Sequence, residues 1–259
     1  MKPAALAFAL AVLAPAVARA GESACWFEQG VLVAPASIAG LAGDYILDTG
    51  TPTTQLHETK AQAAGMVETA QTGEIRIAGL TLPARPFAVA DLDARTYAFP
   101  TPIAGVIGAD LLSNYVVDVS FAPCRVAIYP LRQAPRFASA AVVPLKTIDG
   151  VATARAAVSD GPRAFAADFV VATGGDAPVR VSEGLAQAPG AKPQDVLPGG
   201  ERRASLRAAS FAGTLFENLP GGLSPASARS AGVIGAPLLA RWRLRFDFPH
   251  GRLLLAPAG

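Results

Sequence analysis

The sequence predicts an all-β chain folded as two homologous lobes. Three observations lead there. A motif is written twice, as Asp44-Tyr45-Ile46-Leu47-Asp48-Thr49-Gly50-Thr51 and as Asp168-Phe169-Val170-Val171-Ala172-Thr173-Gly174-Gly175. Each copy is followed by a near-identical block, Gly105-Val106-Ile107-Gly108-Ala109-Asp110-Leu111-Leu112 and Gly232-Val233-Ile234-Gly235-Ala236-Pro237-Leu238-Leu239. Between these landmarks short apolar runs alternate with Gly, Pro and Asp, the texture of strands and turns. A long repeat that occurs twice is a duplicated domain rather than a solenoid.

Residues 1–20 read as a secretory signal. Lys2 supplies the positive start, residues 4–17 the apolar stretch, and Ala18-Arg19-Ala20 the small-residue cleavage site. The run is interrupted by Pro15 and is short for a membrane span, which takes about 20 residues. A lipid anchor at Cys25 is disfavoured by Glu22, which stands where such a signal wants an apolar residue. Lobe one is expected over residues 21–130, a linker containing Pro135 over 131–141, and lobe two over 142–259.

Strands are expected in lobe one over 44–47, 74–77, 86–90, 115–121 and 125–129, and in lobe two over 167–171, 205–209, 242–248 and 252–255. A constant spacing of 127 residues relates Gly105 to Gly232, Phe121 to Phe248 and Arg125 to Arg252. Short helices are expected over 58–64, 110–113 and 237–240, the last opening on Pro237, which suits a first helical turn. Residues 184–200 read as a loop. The alternating Arg241, Arg243 and Arg245 read as the wet face of a strand.

Hydrophobic residues make up 51% of the chain and charged residues 16%, which excludes a disordered chain. Removing residues 1–20 takes away Lys2 and Arg19 and no acid, leaving 20 basic and 20 acidic residues. A mature chain of zero formal charge has no bulk attraction for nucleic acid or anionic membranes, so neither is expected as a partner. Export, to the periplasm if the source has one, permits a disulfide between the two cysteines, Cys25 and Cys124. That bond, favoured over two separate buried thiols, would tie the first strand of lobe one to its last hairpin.

The apolar strand entering Asp48-Thr49-Gly50-Thr51, with the later Val106-Ile107-Gly108 and the duplication, resembles the retropepsin-like and pepsin-like aspartic peptidases. The resemblance covers nearly the whole mature chain. It implies two Asp-Thr-Gly loops meeting at a pseudo-two-fold axis, where two carboxylates about 3 Å apart share a proton and activate a water. By resemblance Asp48 is the catalytic carboxylate. Thr49 and Thr173 lock the loops together, Gly50 and Gly174 make their turns, and Thr51 places a hydroxyl near the acid. Gly108 and Gly235 would pack against the loops. Lobe two departs from the pattern at Ala172, where the second acid belongs, and at Gly175, where the hydroxyl belongs. A lone Asp48 is expected to titrate near the reference value of about 3.9. Asp176 is weighed as a surrogate acid against a surface turn, and a homodimer through lobe one as a source of a second Asp48. The retained Thr173 argues against that dimer. The hairpin over 72–89, turning at Ala78-Gly79, is expected to cover the cleft as a flap, and Tyr97 and Phe99 are weighed as cleft-lining residues against core packing, which is preferred.

Asp44 and Asp168 read as structural strand-end residues and Asp110 as a helix start. His57 and His250 are the only histidines, and His57 is expected at the surface. No His-Glu-x-x-His, Cys-x-x-Cys, Gly-x-Ser-x-Gly or phosphate-cradling loop occurs, so no metal, cofactor or serine triad is expected. Two functions compete. One is an exported peptidase that hydrolyses peptide bonds through Asp48. The other is a relative without catalysis that holds an extended peptide or protein segment in the cleft.

Overall fold

A computed structural model describes residues 21–159, 164–182, 202–224 and 230–258. The signal-peptide reading of 1–20 and the loop expected over 184–200 lie outside the described residues.

The fold is all-β and two-lobed. After β1 (Gly21–Ala24), lobe one contains β2 (Trp26–Glu28), β3 (Val31–Ile38), β4 (Leu41–Leu47), β5 (Gln55–His57), α1 (Glu58–Ala63), β6 (Ala70–Ile77), β7 (Leu80–Ala90), α2 (Asp93–Thr96), β8 (Ile103–Ile107) and α3 (Ala109–Leu112). Its strand order is β2-β3-β4-β8-β5-β7-β6, and β6 also pairs with β3, so six strands close into a barrel. β9 (Val116–Phe121) and β10 (Cys124–Tyr129) follow, then β11 (Ala141–Pro144).

Lobe two repeats the plan with β12 (Lys146–Ile148), β13 (Val151–Ser159), β14 (Ala164–Ala172), β15 (Val179–Ser182), β16 (Arg202–Phe211), β17 (Thr214–Ser224), β18 (Gly232–Gly235) and α4 (Ala236–Leu239). Its order is β12-β13-β14-β18-β15-β17-β16, closed by β13 against β16. β19 (Trp242–Asp247) and β20 (Arg252–Pro257) end the chain. A third, six-stranded sheet joins the lobes in the order β1-β10-β9-β19-β20-β11.

The motif strands are central and parallel. β4 runs beside β8, and β14 beside β18. Every residue of β8 is buried, as expected of a central strand covered on both faces. Leu47 and Ala172 therefore end their strands inside the protein, and the loops that follow project toward the centre of the molecule. One hydrophobic core runs through both barrels, and a smaller cluster of Val31, Val33, Ile46, Leu92, Ile103 and Val106 lies apart from it. The disulfide is formed between Cys25 and Cys124, 99 residues apart, and ties the start of the chain to β10. Closing a loop of that length stabilises by up to about 4–5 kcal/mol in the chain-entropy account.

The arginine run is not uniformly wet. Arg241 and Arg243 are exposed, but Arg245 is only 6% exposed. Residues 135–137 cross the outer face of the joining sheet and bury it. The Arg245 guanidinium donates to both Asp118 oxygens, at 2.6 and 2.7 Å, and to the Pro135 carbonyl at 2.5 Å, and it lies 4.8 Å from the centre of the Phe137 ring. Asp118 and Arg245 face each other in the β9–β19 register, and they are 127 residues apart, the spacing that relates the lobes. The pair therefore sits on the pseudo-two-fold axis. Asp118→Ala leaves a buried guanidinium without its counter-ion and is expected to cost about 3 kcal/mol, read as a lower urea midpoint at unchanged slope.

Candidate functional site

The two motif loops meet face to face and exchange hydrogen bonds reciprocally. The Thr49 hydroxyl donates to the Val171 carbonyl at 2.5 Å and accepts from the Thr173 amide at 3.2 Å. The Thr173 hydroxyl donates to the Leu47 carbonyl at 2.6 Å and accepts from the Thr49 amide at 3.2 Å. Both threonines are 1% exposed, so each loop satisfies polar groups that the other would otherwise bury unpaired. Lobe two occupies the position that a second copy of lobe one would need.

Each loop is braced from behind. Thr54 donates its amide and hydroxyl to Asp110, the hydroxyl at 2.7 Å, and accepts from the Gly108 amide at 3.0 Å. Asp110 thus does more than start α3: it holds the loop after Gly50. A Cβ at Gly108 would lie 2.7 Å from the Thr53 backbone, and one at Gly235 2.6 Å from the Gly175 carbonyl, so both positions require the bare backbone. Asp168 pairs with Lys146 at 2.9 Å on the strand leading to its loop.

Asp48 is 4% exposed and its carboxylate is fully engaged. Oδ1 accepts from the Gly50 amide at 2.8 Å and the Gly174 amide at 3.1 Å. Oδ2 accepts from the Thr51 hydroxyl at 2.6 Å and from Arg95 at 2.6 Å. The other Arg95 nitrogen donates to Thr51 Oγ1 at 2.9 Å. The Ala172 methyl stands opposite, close enough that a Cβ at Gly50 would come within 2.5 Å of it. No acidic oxygen among the described residues hydrogen-bonds Asp48. Asp176 forms an ion pair with Arg180 at the lip of the cleft and does not reach the axis.

Arg95 could not be singled out from the sequence. It is carried by α2, a single turn too short to show a helical period. Asp91 starts the turn by accepting from the Asp93 amide at 2.8 Å, Leu92 anchors it in the smaller core cluster, and His57 Nε2 pairs with Asp93 at 3.2 Å. The Asp-x-Asp beginning is a readable turn signal, but nothing in it names a partner 47 residues away. His57, expected at the surface, is 7% exposed, because its Nδ1 also accepts the Thr59 amide and so caps α1.

Two further expectations are corrected by this segment. The cover of the cleft is not the 72–89 hairpin. No residue of β6 or β7 lines the cleft, and the turn at Ala78 folds back against Gly21, where Ala78 is 5% exposed. The cover is the stretch from Ala94 to Phe99. Tyr97 is accordingly 66% exposed and lines the cleft instead of filling the core, whereas Phe99 lines the cleft and also packs, half-buried, against the smaller core cluster. The cleft encloses about 530 Å³, and its walls include Val31, Ile46, Val170 and Val233.

The electrostatics correct the last expectation. Burial is the largest influence on Asp48 and raises its pKa. The Arg95 charge together with the Thr51, Gly50 and Arg95 hydrogen bonds outweighs it, and the carboxyl is held below its ordinary value. Above its lowered pKa Asp48 is an ionised carboxylate neutralised by Arg95. It faces the Ala172 methyl where an acid–base pair would need a proton donor, and its Oδ2 is taken by the Arg95 guanidinium. Among the described residues no group of three or more His, Cys, Asp or Glu could hold a metal ion, and no helix is long and apolar enough to cross a membrane.

Two closed barrels, a joining sheet and facing Asp-Thr-Gly and Ala-Thr-Gly loops define the two-lobed aspartic-proteinase fold. Among solved structures the chain is similar to an aspartic proteinase from Irpex lacteus, with a TM-score of 0.57 and 14% identity over 93% of this chain and 98% of that one. It is also similar to Basic 7S globulin from soybean, with a TM-score of 0.54 and 11% identity over 92% of this chain and 95% of that one. No protein-family model and no curated protein sequence matches the chain.

Because Asp48 has a depressed pKa, the stability it contributes is complete above its unfolded value of about 3.8 and is lost as pH falls through the lower folded value. Arg95→Ala removes the main stabilising charge and leaves the burial. The variant is expected to lose about 2 kcal/mol at pH 7 and to begin acid unfolding at higher pH than the parent, as read by pH-dependent urea unfolding.

Proposed function

We propose that this protein is an exported, non-hydrolytic relative of the aspartic proteinases that binds an extended peptide or protein segment between its lobes. The observation that carries the reading is the Asp48–Arg95 pair opposite Ala172: the one acid of the motif is occupied as a structural ion pair. An open cleft with apolar walls persists beside it, and the loops that bring the lobes together keep all their hydrogen bonds. Docking is retained where chemistry is not. The N-terminal 20 residues and the Cys25–Cys124 bond support export to an oxidising compartment such as the periplasm.

The competing reading, hydrolysis through Asp48, requires Arg95 to leave and a second acid to arrive. The mature protein is expected to cleave no peptide in a mixed library between pH 3 and 7 above the background of its Asp48→Asn variant. Cleavage that Asp48→Asn abolishes overturns the proposal. Peptides retained from the same library are expected to bind about tenfold more weakly to Tyr97→Ala, which removes the most exposed aromatic of the cleft, as measured by fluorescence anisotropy.

A further inference from the structure

On the outward face of the joining sheet lies a second groove of about 500 Å³ that shares no lining residue with the cleft. Four arginines line it, Arg125, Arg136, Arg243 and Arg245, against two carboxylates, Glu22 and Asp118. Asp118 neutralises Arg245 completely. Glu22 reaches Arg125 at 3.4 Å, with both side chains more than half exposed, which is a weak pairing. Arg136 and Arg243 have no acidic partner among the described residues. Two positive charges are therefore left over in one groove of a mature chain whose formal charge is zero.

The sheet orders these groups. Arg125 and Ser120 are register partners on β10 and β9. Arg243 comes one residue beyond the Leu244–Val119 pair on β19, on the same outward face as Arg245. Arg125, the Ser120 hydroxyl and Arg243 thus form a row across three adjacent strands, about 10 Å from end to end. The segment bearing Arg136 and Phe137 overhangs the row, and the Arg243 guanidinium lies 5.7 Å from the centre of the Phe137 ring, which restricts how it can point. Guanidinium forks beside a hydroxyl donor make a cradle of N–H and O–H groups suited to tetrahedral oxyanions.

We propose that this groove binds a phosphate-bearing ligand, with Arg136, Arg243 and Arg125 as its charged contacts and Ser120 as a hydroxyl donor. The spacing of the row suits two linked phosphates better than one. A free diphosphate and the phosphates of a lipid headgroup share that chemistry, and the test separates them.

Pyrophosphate titrated into the mature protein at low salt is expected to give a calorimetric Kd below about 1 mM that rises with added NaCl. Arg136→Ala and Arg243→Ala are each expected to weaken it about tenfold, the size of one charge-assisted contact, while Tyr97→Ala leaves it unchanged. The thermal midpoints of these exposed-site variants report that the fold is intact, and Arg243→Lys, which keeps the charge, retains part of the affinity. The second arm is co-sedimentation with phosphatidylglycerol vesicles against phosphatidylcholine vesicles. Association with the anionic vesicles alone, lost in Arg136→Ala/Arg243→Ala, assigns the site to a lipid headgroup. Pyrophosphate binding without vesicle association assigns it to a soluble phosphate. No binding in either arm, or binding that ignores both substitutions, overturns the proposal.

Discussion

The reciprocal exchange between Thr49 and Thr173 is the constraint on which the rest of the molecule depends. Each hydroxyl donates to a carbonyl in the other lobe and accepts an amide from the other loop, so four hydrogen bonds among six buried polar groups form only when the lobes are together. That arrangement fixes how the two loops face each other. It also fixes what stands at the axis, the carboxyl of Asp48 on one side and the methyl of Ala172 on the other.

Within that frame Asp48 shows how one residue type serves two ends. Buried alone, its carboxyl would be driven toward the neutral form, because a low-dielectric interior disfavours charge. The Arg95 charge and the hydrogen bonds from Thr51, Gly50 and Arg95 reverse the outcome. The result is a charged but locally neutral knot that joins lobe one, the Gly174 amide of lobe two and the short cover carrying Arg95. A side chain at Gly174 would strike both members of the pair, its Cβ falling 2.5 Å from Asp48 Cγ and 2.6 Å from the guanidinium, so the knot leaves room for glycine only.

Much of the fold was legible because duplication makes the landmarks redundant. The strands entering the two loops, the Gly-x-x-Gly blocks and the short helices after them each appear twice or sit at a fixed offset. What was illegible shares a physical cause. Arg95, His57 and Arg245 all act on partners far away in the chain: 47 residues for Arg95 and Asp48, 36 for His57 and Asp93, and 127 for Arg245 and Asp118. Local pattern reads periodicity and turn chemistry, and neither names a partner that distant. Arg245 was misplaced because strand alternation predicts which face a residue points to, and not whether a crossing segment then covers that face. The hairpin over 72–89 is expected as the cover by resemblance alone, but β6 is consumed in closing the barrel against β3.

The pair of Asp118 and Arg245 has a consequence for which halves can associate. The two residues occupy equivalent places in the lobes and meet across the axis as opposite charges. Two copies of lobe one assembled about the same axis would set carboxylate against carboxylate in a buried spot, and two copies of lobe two would set guanidinium against guanidinium. Like charges at such a distance repel strongly once water is removed. The fused chain therefore resembles a lock with two unlike halves: at this point each half complements the other and repels its own duplicate.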